Sequence, residues 1–200
     1  MTNSEPNSND AFPGSNFEMD GALAPWNMPA KAWLTKHDKH WNGLCSGIVV
    51  FDPEDRVLII QRASHDSMPD KWEVPGGGID DEDATILHGA ARELWEEAGL
   101  VAKGFQYVVT EGDDIAPSQV FTNRTGTKFF RRIAFVADVE NCDQVKLDPD
   151  EHQAFMWASE DEIRTGKVGD CSFTITHESM RALILEAFRL KRVWETSNRV

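Results

Sequence analysis

The segment from Gly76 to Leu100 constrains this chain more than any other part, and it reads GGGIDDEDATILHGAARELWEEAGL. A helix turns by about 100° per residue, so Glu93, Glu96 and Glu97 fall on one face of the helix that this segment predicts. Three carboxylates on one face repel one another unless a cation lies among them, and clustered oxygen ligands suit Mg²⁺ or Mn²⁺. The spacing therefore predicts a divalent-metal site on a single helix.

The residues around the acidic cluster predict how this helix is placed. Residues 72–75 (WEVP) have the composition of a short strand ended by proline, and the three glycines at 76–78 permit a sharp turn and close approach to a ligand. Gly99 has the position of a left-handed cap at the end of the helix. A strand, a glycine loop and an acidic helix in this order direct backbone groups and carboxylates toward a phosphate chain and its metal ions.

These residues resemble the signature of the Nudix hydrolase family, G-x5-E-x7-R-E-U-x-E-E-x-G-U with U an aliphatic residue, from Gly78 to Leu100. One position differs, because Ala84 replaces the first glutamate; the neighbouring Asp83 substitutes for it only in a shifted register. In the family that glutamate supports the start of the helix, so its replacement predicts weaker metal binding or altered helix geometry. The phrases DSMPDKWEVPGGG and LDPDEHQ are also similar to small uncharacterised fungal proteins of this family.

The resemblance implies hydrolysis of a pyrophosphate bond in a nucleoside diphosphate linked to another moiety, or in a related organic diphosphate. Metal ions, a positioned water and a base are what such chemistry requires. We expect Glu93, Glu96 and Glu97 to bind Mg²⁺, with Mn²⁺ as an alternative ion. The resemblance adds the backbone carbonyl of Gly78 as a further ligand.

Two catalytic assignments accompany the metal site. Glu93 is a candidate for the base that activates water, and Glu111 and Glu151 are the alternatives on later loops, with ordinary surface acids as the competing interpretation. Arg92 is expected to pair with a carboxylate and orient the helix.

The substrate-binding residues are indicated less specifically. Arg62, at the end of a predicted strand, lies where related enzymes often have a substrate-contacting arginine; a charge on an edge strand is the alternative. Phe129, Phe130 and Trp157 are candidates for stacking on a base, with burial in the core as the alternative. Pro117 lies in a region where some ADP-ribose-cleaving members have a proline.

The histidines and cysteines show no metal-ligand spacing. His88 and His152 are interpreted as surface groups. The chain has three cysteines, Cys45, Cys142 and Cys171. An odd number is typical of reduced thiols in a cytoplasmic or nuclear setting.

The rest of the chain predicts an α/β sandwich of the α+β type with a mixed β-sheet. Residues 1–28, rich in Asn, Ser and Pro, predict a disordered or loosely ordered tail before a single domain at residues 29–200. The predicted strands lie at 44–51 and 56–63, which are expected to form a hairpin around the turn-like DPED, and at 105–110, 128–139 and 154–157. The predicted helices lie at 29–41, in the acidic segment, from Ser159 onward, and at 177–194.

The net charge of −14 at pH 7 argues against a nucleic-acid polymer or an anionic membrane surface as the partner. A small phosphorylated substrate remains compatible with this charge, because metal ions and a few basic side chains supply the local positive charge. No secretory signal or membrane span is visible. A homodimer is compatible with the sequence, and the oligomeric state is left open.

Two alternatives to a hydrolase belong to other functional classes. Ala84 is compatible with a catalytically weak or inactive module that binds a nucleotide as a sensor or scaffold. The fold is also shared by isopentenyl diphosphate isomerases, which need a catalytic cysteine in a distinctive strand motif. Cys45, in NGLCSG, lacks the surroundings of that motif.

Overall fold

The computed structural model describes residues 12–13, 15–109, 120–123 and 125–197, and these fold into two main sheets with helices packed around them. The strands are β1 (Glu18–Met19), β2 (Gly43–Val50), β3 (Val57–Arg62), β4 (Trp72–Glu73), β5 (Ala102–Val109), β6 (Val120–Thr122), β7 (Phe129–Val139), β8 (His152–Ala158), β9 (Lys167–Val168) and β10 (Cys171–Ser172). The helices are α1 (Ala30–Lys36), α2 (Ile86–Ala98), α3 (Glu160–Thr165) and α4 (Glu178–Ser197), with short 3₁₀ helices at Gly21–Trp26 and Cys142–Gln144.

The larger sheet is mixed, as predicted. Its strand order is β1–β5–β7–β2, with β6 paired to β7. β2 runs parallel to β7, and β7 runs antiparallel to both β5 and β6. The smaller sheet is antiparallel with the order β4–β3–β8.

Two hydrophobic cores lie on opposite faces of the larger sheet. Consecutive strand residues alternate between them: Ile48 and Phe135 belong to the core that contains α2, whereas Val49 and Val136 belong to the core that contains α4. This alternation follows from the two-residue period of a strand, which directs successive side chains to opposite faces. The predicted α/β sandwich is therefore confirmed.

Helix α2 is capped at both ends, and its C-terminal cap is the glycine that the sequence predicts. The Thr85 hydroxyl accepts a hydrogen bond from the His88 backbone N–H at 3.2 Å, which caps the first turn. Gly99 ends the helix with φ of 66° and donates to the Trp95 carbonyl at 2.8 Å, and this left-handed conformation favours glycine. The helix buries the apolar residues Leu87, Ala90, Leu94 and Ala98.

The predicted hairpin of β2 and β3 is wrong. The DPED segment does turn, because the Asp52 carboxylate accepts hydrogen bonds from the backbone N–H groups of Glu54 at 3.1 Å and Arg56 at 2.8 Å. After the turn the strands separate, with only an isolated bridge between Phe51 and Val57, and each joins a different sheet. Both strands have consecutive buried residues, which are 46–50 in β2 and 57–60 in β3, and a strand buried on both faces finds its partners through tertiary packing rather than through its turn.

Part of the predicted N-terminal tail is packed on the domain. Glu18–Met19 pairs with β5, and Leu23 has no exposed surface. The Trp26 ring stacks on that of Trp33 with centroids 5.1 Å apart. In the sequence these apolar residues are surrounded by polar ones, but in the structure they pack against the domain. The packed structure therefore begins before residue 28, the predicted boundary. Residues 1–11 lie outside the described part.

The remaining predicted elements are present with small shifts of their ends. The strands expected at 105–110, 128–139 and 154–157 correspond to β5, β7 and β8, and the helices expected at 29–41 and 177–194 correspond to α1 and α4. Ser159 begins α3 with a capping box, in which its side chain and that of Glu162 each bond to the other's backbone N–H. Among the described residues, none of the helices has the length and apolar character needed to cross a membrane.

Candidate active site

The glycine loop lies along the edge of β2 as an additional extended segment. The Ile48 N–H donates to the Pro75 carbonyl at 2.7 Å, the Ser46 N–H donates to the Gly77 carbonyl at 2.8 Å, and the Ile79 N–H donates to the Leu44 carbonyl at 2.9 Å. Because the loop is held by the sheet and also leads into α2, it has a fixed position against the acidic face of that helix.

Glu93 lies directly against this loop. A Cβ built on Gly77 would lie 2.7 Å from the carboxyl carbon of Glu93, closer than real Cβ contacts. Only glycine at this position leaves space for the carboxylate. Burial raises the pKa of Glu93 to about 7, although hydrogen bonding to Arg92 opposes the shift.

Glu97 is the most buried acid of the cluster, with 6% of its surface exposed. Its carboxylate accepts a hydrogen bond from the Gly76 N–H at 2.6 Å. Burial raises the pKa of Glu97 well above its usual value, the Gly76 hydrogen bond lowers it, and the charges of Glu73, Glu93 and Glu151 raise it further. Two adjacent carboxyls with raised pKa values are suited to a divalent cation, whose charge reverses this effect.

Arg92 connects the acidic face with the loop before the helix. Its Nη1 donates to Glu93 and Glu96, both at 2.9 Å, and its Nη2 donates to the Gly78 carbonyl at 2.8 Å. The Asp83 carboxylate accepts from Nε at 3.0 Å and from Nη2 at 2.9 Å. These hydrogen bonds raise the pKa of Arg92 above its usual value, and the bond to Asp83 has the largest effect. Arg92 is thus paired with carboxylates of the helix and of the loop, and its role in orienting the helix stays a prediction.

Asp83 provides the carboxylate that Ala84 lacks. Its side chain is almost fully buried, pairs with Arg92, and accepts a hydrogen bond from the Asp80 N–H at 2.8 Å. Helix α2 begins only at Ile86, so Asp83 lies in the preceding loop, where its direction is not set by the helical period. A carboxylate one residue earlier in the chain therefore reaches the arginine despite the shifted register.

A second layer of charged residues lies behind the cluster. The Arg62 guanidinium is paired with Glu73 and Asp66 and donates to the Ser67 carbonyl at 2.6 Å. Glu73 is buried; burial raises its pKa, but His152 and Arg62 outweigh burial, so the pKa of Glu73 is lowered overall. Arg62 is committed to these internal partners, and its assignment to the substrate stays a prediction.

Glu151 and His152 join the cluster from the beginning of β8. The ligand atoms of Glu97, Glu151 and His152 all lie within 4.8 Å of one another. The interpretation of His152 as a surface group is wrong, because 2% of its surface is exposed. His88 is half-buried; its ring is bonded to the Thr85 hydroxyl at 2.7 Å. Glu111 and Pro117 lie outside the described residues.

The aromatic candidates lie in different places. Phe129 is 49% exposed on β7, and Trp157 is half-buried on β8 against the core that contains α2. Phe130 stacks on Phe121 of β6 with ring centroids 5.9 Å apart. The packing of Trp157 matches the core alternative, and the substrate roles of Phe129 and Trp157 stay predictions.

Arg132 is a site residue that sequence reasoning missed. Its guanidinium lies 5.3 Å from the centroid of the Phe121 ring, and its position on β7 is beside Cys45 on β2. Its charge acts on both Cys45 and Glu73. Arg131 precedes it in the run FFRR but lies over Trp33 and Trp41, in line with strand alternation. The sequence predicts that Arg131 and Arg132 lie on opposite faces of β7. Only the assembled sheet shows which of these faces is on the side of the glycine loop.

Cys45 does not have the properties of a catalytic thiol. Burial raises its pKa to about 11, with Arg132 opposing the shift and Glu93 adding to it. A thiol with this pKa is protonated at neutral pH and is a poor nucleophile. This argues against the isomerase alternative.

A family model described as NUDIX domain matches residues 41–176. The RNA pyrophosphohydrolase of Psychrobacter sp. (strain PRwf-1) is 43% identical over 60 residues, which cover 30% of this chain and 32% of that protein. Diphosphoinositol polyphosphate phosphohydrolase 2 of Rattus norvegicus is 42% identical over 52 residues, which cover 26% of this chain and 27% of that protein. The chain thus spans about a third of the length of these curated relatives.

Solved structures with a similar fold cover more of the chain. The MutT NUDIX hydrolase from Burkholderia pseudomallei has a TM-score of 0.54 at 18% identity and covers 72% of this chain and 96% of its own. The MutT protein from Methanosarcina mazei Go1 has a TM-score of 0.51 at 22% identity and covers 75% of this chain and 94% of its own. At these sequence identities the similarity shows a shared fold only. The similarity to fungal proteins stays a prediction.

Proposed function

Because the chain belongs to the Nudix family, whose domain model covers residues 41–176, we propose that it is a divalent-metal-dependent hydrolase acting on a nucleoside diphosphate linked to another moiety. The bond cleaved is the pyrophosphate bond, and the ion is Mg²⁺ or Mn²⁺. The observation that carries the proposal is the convergence of Glu93, Glu97 and Glu151 beside the glycine loop.

The donor set fits a divalent cation. Glu93 and Glu97 are held by Arg92 and by the Gly76 N–H through one oxygen each, which leaves the other oxygen of each carboxylate for a ligand. The Gly78 carbonyl accepts from Arg92 and retains a second lone pair. A bound cation would neutralise charge on the phosphate oxygens. Arg92, itself held by Asp83, orients the ligands, and its positive charge balances part of their negative charge before a cation binds.

Glu93 is our assignment for the base. In the metal-free chain burial raises its pKa to about 7, and a bound cation would favour the carboxylate that accepts the proton. Its position against Gly77 places the carboxylate where the glycine loop brings backbone groups close to a phosphate chain. Glu151 is exposed and close to Glu97, so it remains the alternative base as well as a metal ligand.

Arg132 and the ring pair of Phe121 and Phe130 support a nucleotide as substrate. Among the described residues Arg132 makes no ion pair, so its charge is available to a phosphate, and stacked rings suit a nucleobase. The relatives are named for RNA and for diphosphoinositol polyphosphate, both rich in negative charge. The net charge of −14 and the presence of one arginine beside this ring pair favour a small nucleotide over RNA or a diphosphoinositol polyphosphate.

A hydrolysis panel tests the proposal. The candidate substrates are ADP-ribose, dinucleoside polyphosphates, nucleoside triphosphates, nucleotide sugars, isoprenyl diphosphates, a 5′-triphosphorylated RNA and a diphosphoinositol polyphosphate, each with Mg²⁺ or Mn²⁺. We expect release of a mononucleotide from a nucleotide substrate. Glu97→Gln keeps an acceptor for the Gly76 N–H but loses the charge, so turnover should fall by about 100-fold or more.

Each result of the panel has a distinct meaning. Unchanged turnover in Glu97→Gln would contradict the metal assignment. Nucleotide binding without turnover, with either ion, would favour the sensor or scaffold alternative and indicate Ala84 as its cause. The pairing of Asp83 with Arg92 argues against that outcome, because it keeps a carboxylate at the beginning of the helix.

A further inference from the structure

His152 is a buried polar group whose surroundings in the protein leave it unsatisfied. Only 2% of the surface of His152 is exposed, and neither ring nitrogen has a hydrogen-bond partner among the described residues. The carboxylate oxygen Oε1 of Glu73 lies 3.7 Å from Nε2, beyond hydrogen-bond range, and this oxygen already accepts from Arg62. Buried polar groups are almost always bonded, so a ring nitrogen in this position indicates a ligand.

The ring is directed at two carboxylates that come from different elements. Glu97 is fixed on α2 by the Gly76 N–H, and Glu151 precedes β8. The backbone holds the pair in position, since the Glu151 carbonyl accepts from the Ala63 N–H at 2.8 Å and the His152 N–H donates to the Asp148 carbonyl at 2.8 Å. One ligand atom from each of Glu97, Glu151 and His152 lies within 4.8 Å of the other two.

We propose that His152 is a nitrogen ligand of a divalent cation held by Glu97 and Glu151, and that the site consequently prefers Mn²⁺ to Mg²⁺. The inference rests on the proposed function, which needs a cation at α2, and it adds a ligand type and a metal preference. Imidazole suits transition metals, whereas Mg²⁺ is bound almost entirely through oxygen.

The geometry is compatible with one ion bound by the three residues. Donor atoms at about 2.1 Å from one ion lie at most about 4.2 Å apart, and rotation of the exposed Glu151 side chain closes the remaining difference. Histidines that bind metals usually donate their other ring N–H to a carboxylate. Glu73 faces Nε2, which leaves Nδ1 for the cation.

Pulsed electron paramagnetic resonance of the Mn²⁺-loaded full chain tests the ligation directly. We expect ¹⁴N modulation of the Mn²⁺ electron spin echo, and we expect its frequencies to change when the histidines carry ¹⁵N. The labelled protein has the unchanged sequence, so this result does not depend on the folding of a variant. Modulation should disappear in His152→Gln and persist in His40→Gln, which replaces a histidine with a 92% exposed side chain.

A binding titration tests the preference. Free Mn²⁺ followed by its EPR signal should show binding weakened by about tenfold or more in His152→Gln, with a smaller loss for Mg²⁺ in competition. Absence of histidine modulation from a wild-type protein that binds Mn²⁺ and hydrolyses substrate would overturn this inference and leave the hydrolase proposal intact. Modulation that persists in His152→Gln would overturn it as well. A wild-type chain that binds neither ion would overturn both proposals.

Discussion

Arg92 joins the acidic face of α2 to the loop in front of it. It contacts two glutamates of the helix, the carbonyl of Gly78 and the carboxylate of Asp83. Without Asp83 the guanidinium would have no acid on its loop side other than the exposed Asp80 at 3.4 Å. The loop carboxylate thus determines how firmly Arg92 holds Glu93 and Glu96.

Asp83→Ala is expected to lower both stability and turnover. The change leaves part of a half-buried guanidinium unbonded, which should cost about 1–3 kcal/mol of unfolding free energy and loosen Glu93. Chemical denaturation and steady-state kinetics measure the two effects. Asp81→Ala is the control, because Asp81 is exposed and pairs with Lys31 at the surface; it should cost less than about 1 kcal/mol. Equal behaviour of the two variants would contradict the role given to Asp83.

Ala84→Glu restores the missing signature residue. Because Asp83 already bonds to Arg92, we expect turnover to remain within about threefold of the wild-type value, on the order of the 0.5 kcal/mol typical of surface substitutions. Turnover numbers at saturating Mg²⁺ give the comparison. A large loss would mean that the site has adapted to alanine, and a large gain would mean that Asp83 does not replace the glutamate.

At the scale of elements, the glycine loop and α2 form one unit because each determines the space available to the other. The loop is held by hydrogen bonds to β2, and the helix presents Glu93 to the position where Gly77 lacks a side chain. The neighbouring Gly78 has open space around the position of its absent Cβ. The two glycines therefore differ in what an added methyl group would contact.

Gly77→Ala is expected to weaken Mn²⁺ binding by about tenfold or more, because the new methyl group displaces the Glu93 carboxylate. Gly78→Ala is the matched control and should bind Mn²⁺ nearly as well as the wild type. Isothermal titration calorimetry of both variants measures the difference. If both variants bind equally, the close approach of Glu93 to the loop does not matter for the metal.

The acids of α2 predict a pH-dependent stabilisation by metal. Burial raises the pKa of Glu93 to about 7 and that of Glu97 well above its usual value, so the folded chain holds protons that the unfolded chain has lost. The contribution of these two acids to the stability of the metal-free protein is therefore fully present below the ordinary pKa of 4.5 and is lost as the pH rises toward and through 7. A cation must displace the Glu93 proton at low pH but not well above pH 7.

We accordingly expect the rise in Tm caused by Mn²⁺ to be larger by a few degrees at about pH 8 than at about pH 6. Differential scanning calorimetry at both pH values gives the measurement. In Glu93→Gln the Tm rise caused by Mn²⁺ should differ less between the two pH values. An equal Tm rise at both pH values in the wild type would show that the acids do not carry protons when the metal is absent.

At the scale of the whole molecule, the domain includes residues that precede the matched family region. Leu23 and Trp26 lie in the core that contains α2, and β1 extends the larger sheet beside β5. The N-terminal segment from about residue 17 therefore contributes to the same core that supports α2.

Leu23→Ala is expected to lower the unfolding free energy by about 2–5 kcal/mol, because it leaves a cavity under a fully buried side chain. Met19→Ala, at a partly exposed side chain of the same segment, should cost clearly less. Denaturation in urea measures both variants. A loss below about 1 kcal/mol in Leu23→Ala would indicate that this segment is not part of the cooperative fold.

Local rules were sufficient for much of the architecture. The three-and-four spacing of Glu93, Glu96 and Glu97, the glycine cap at Gly99 and the capping box at Ser159 depend on neighbours within one or two turns. The structure therefore reproduces these features where the sequence predicts them. The long strand β7 and the helix α4 follow for the same reason.

The sequence by itself determined the acidic helix, the loop that faces it and the class of fold, because helical and strand periodicities are properties of short segments. The tertiary structure alone decided four matters: the separation of β2 from β3, the reach of Asp83 to Arg92, the orientation of Arg132 rather than Arg131 toward the loop, and the approach of His152 to Glu97. The Asp83–Arg92 contact depends on the conformation of the loop before α2, and the other three depend on contacts between residues distant in the chain. Such pairing is selected by the burial of whole sheet faces, which no local pattern records.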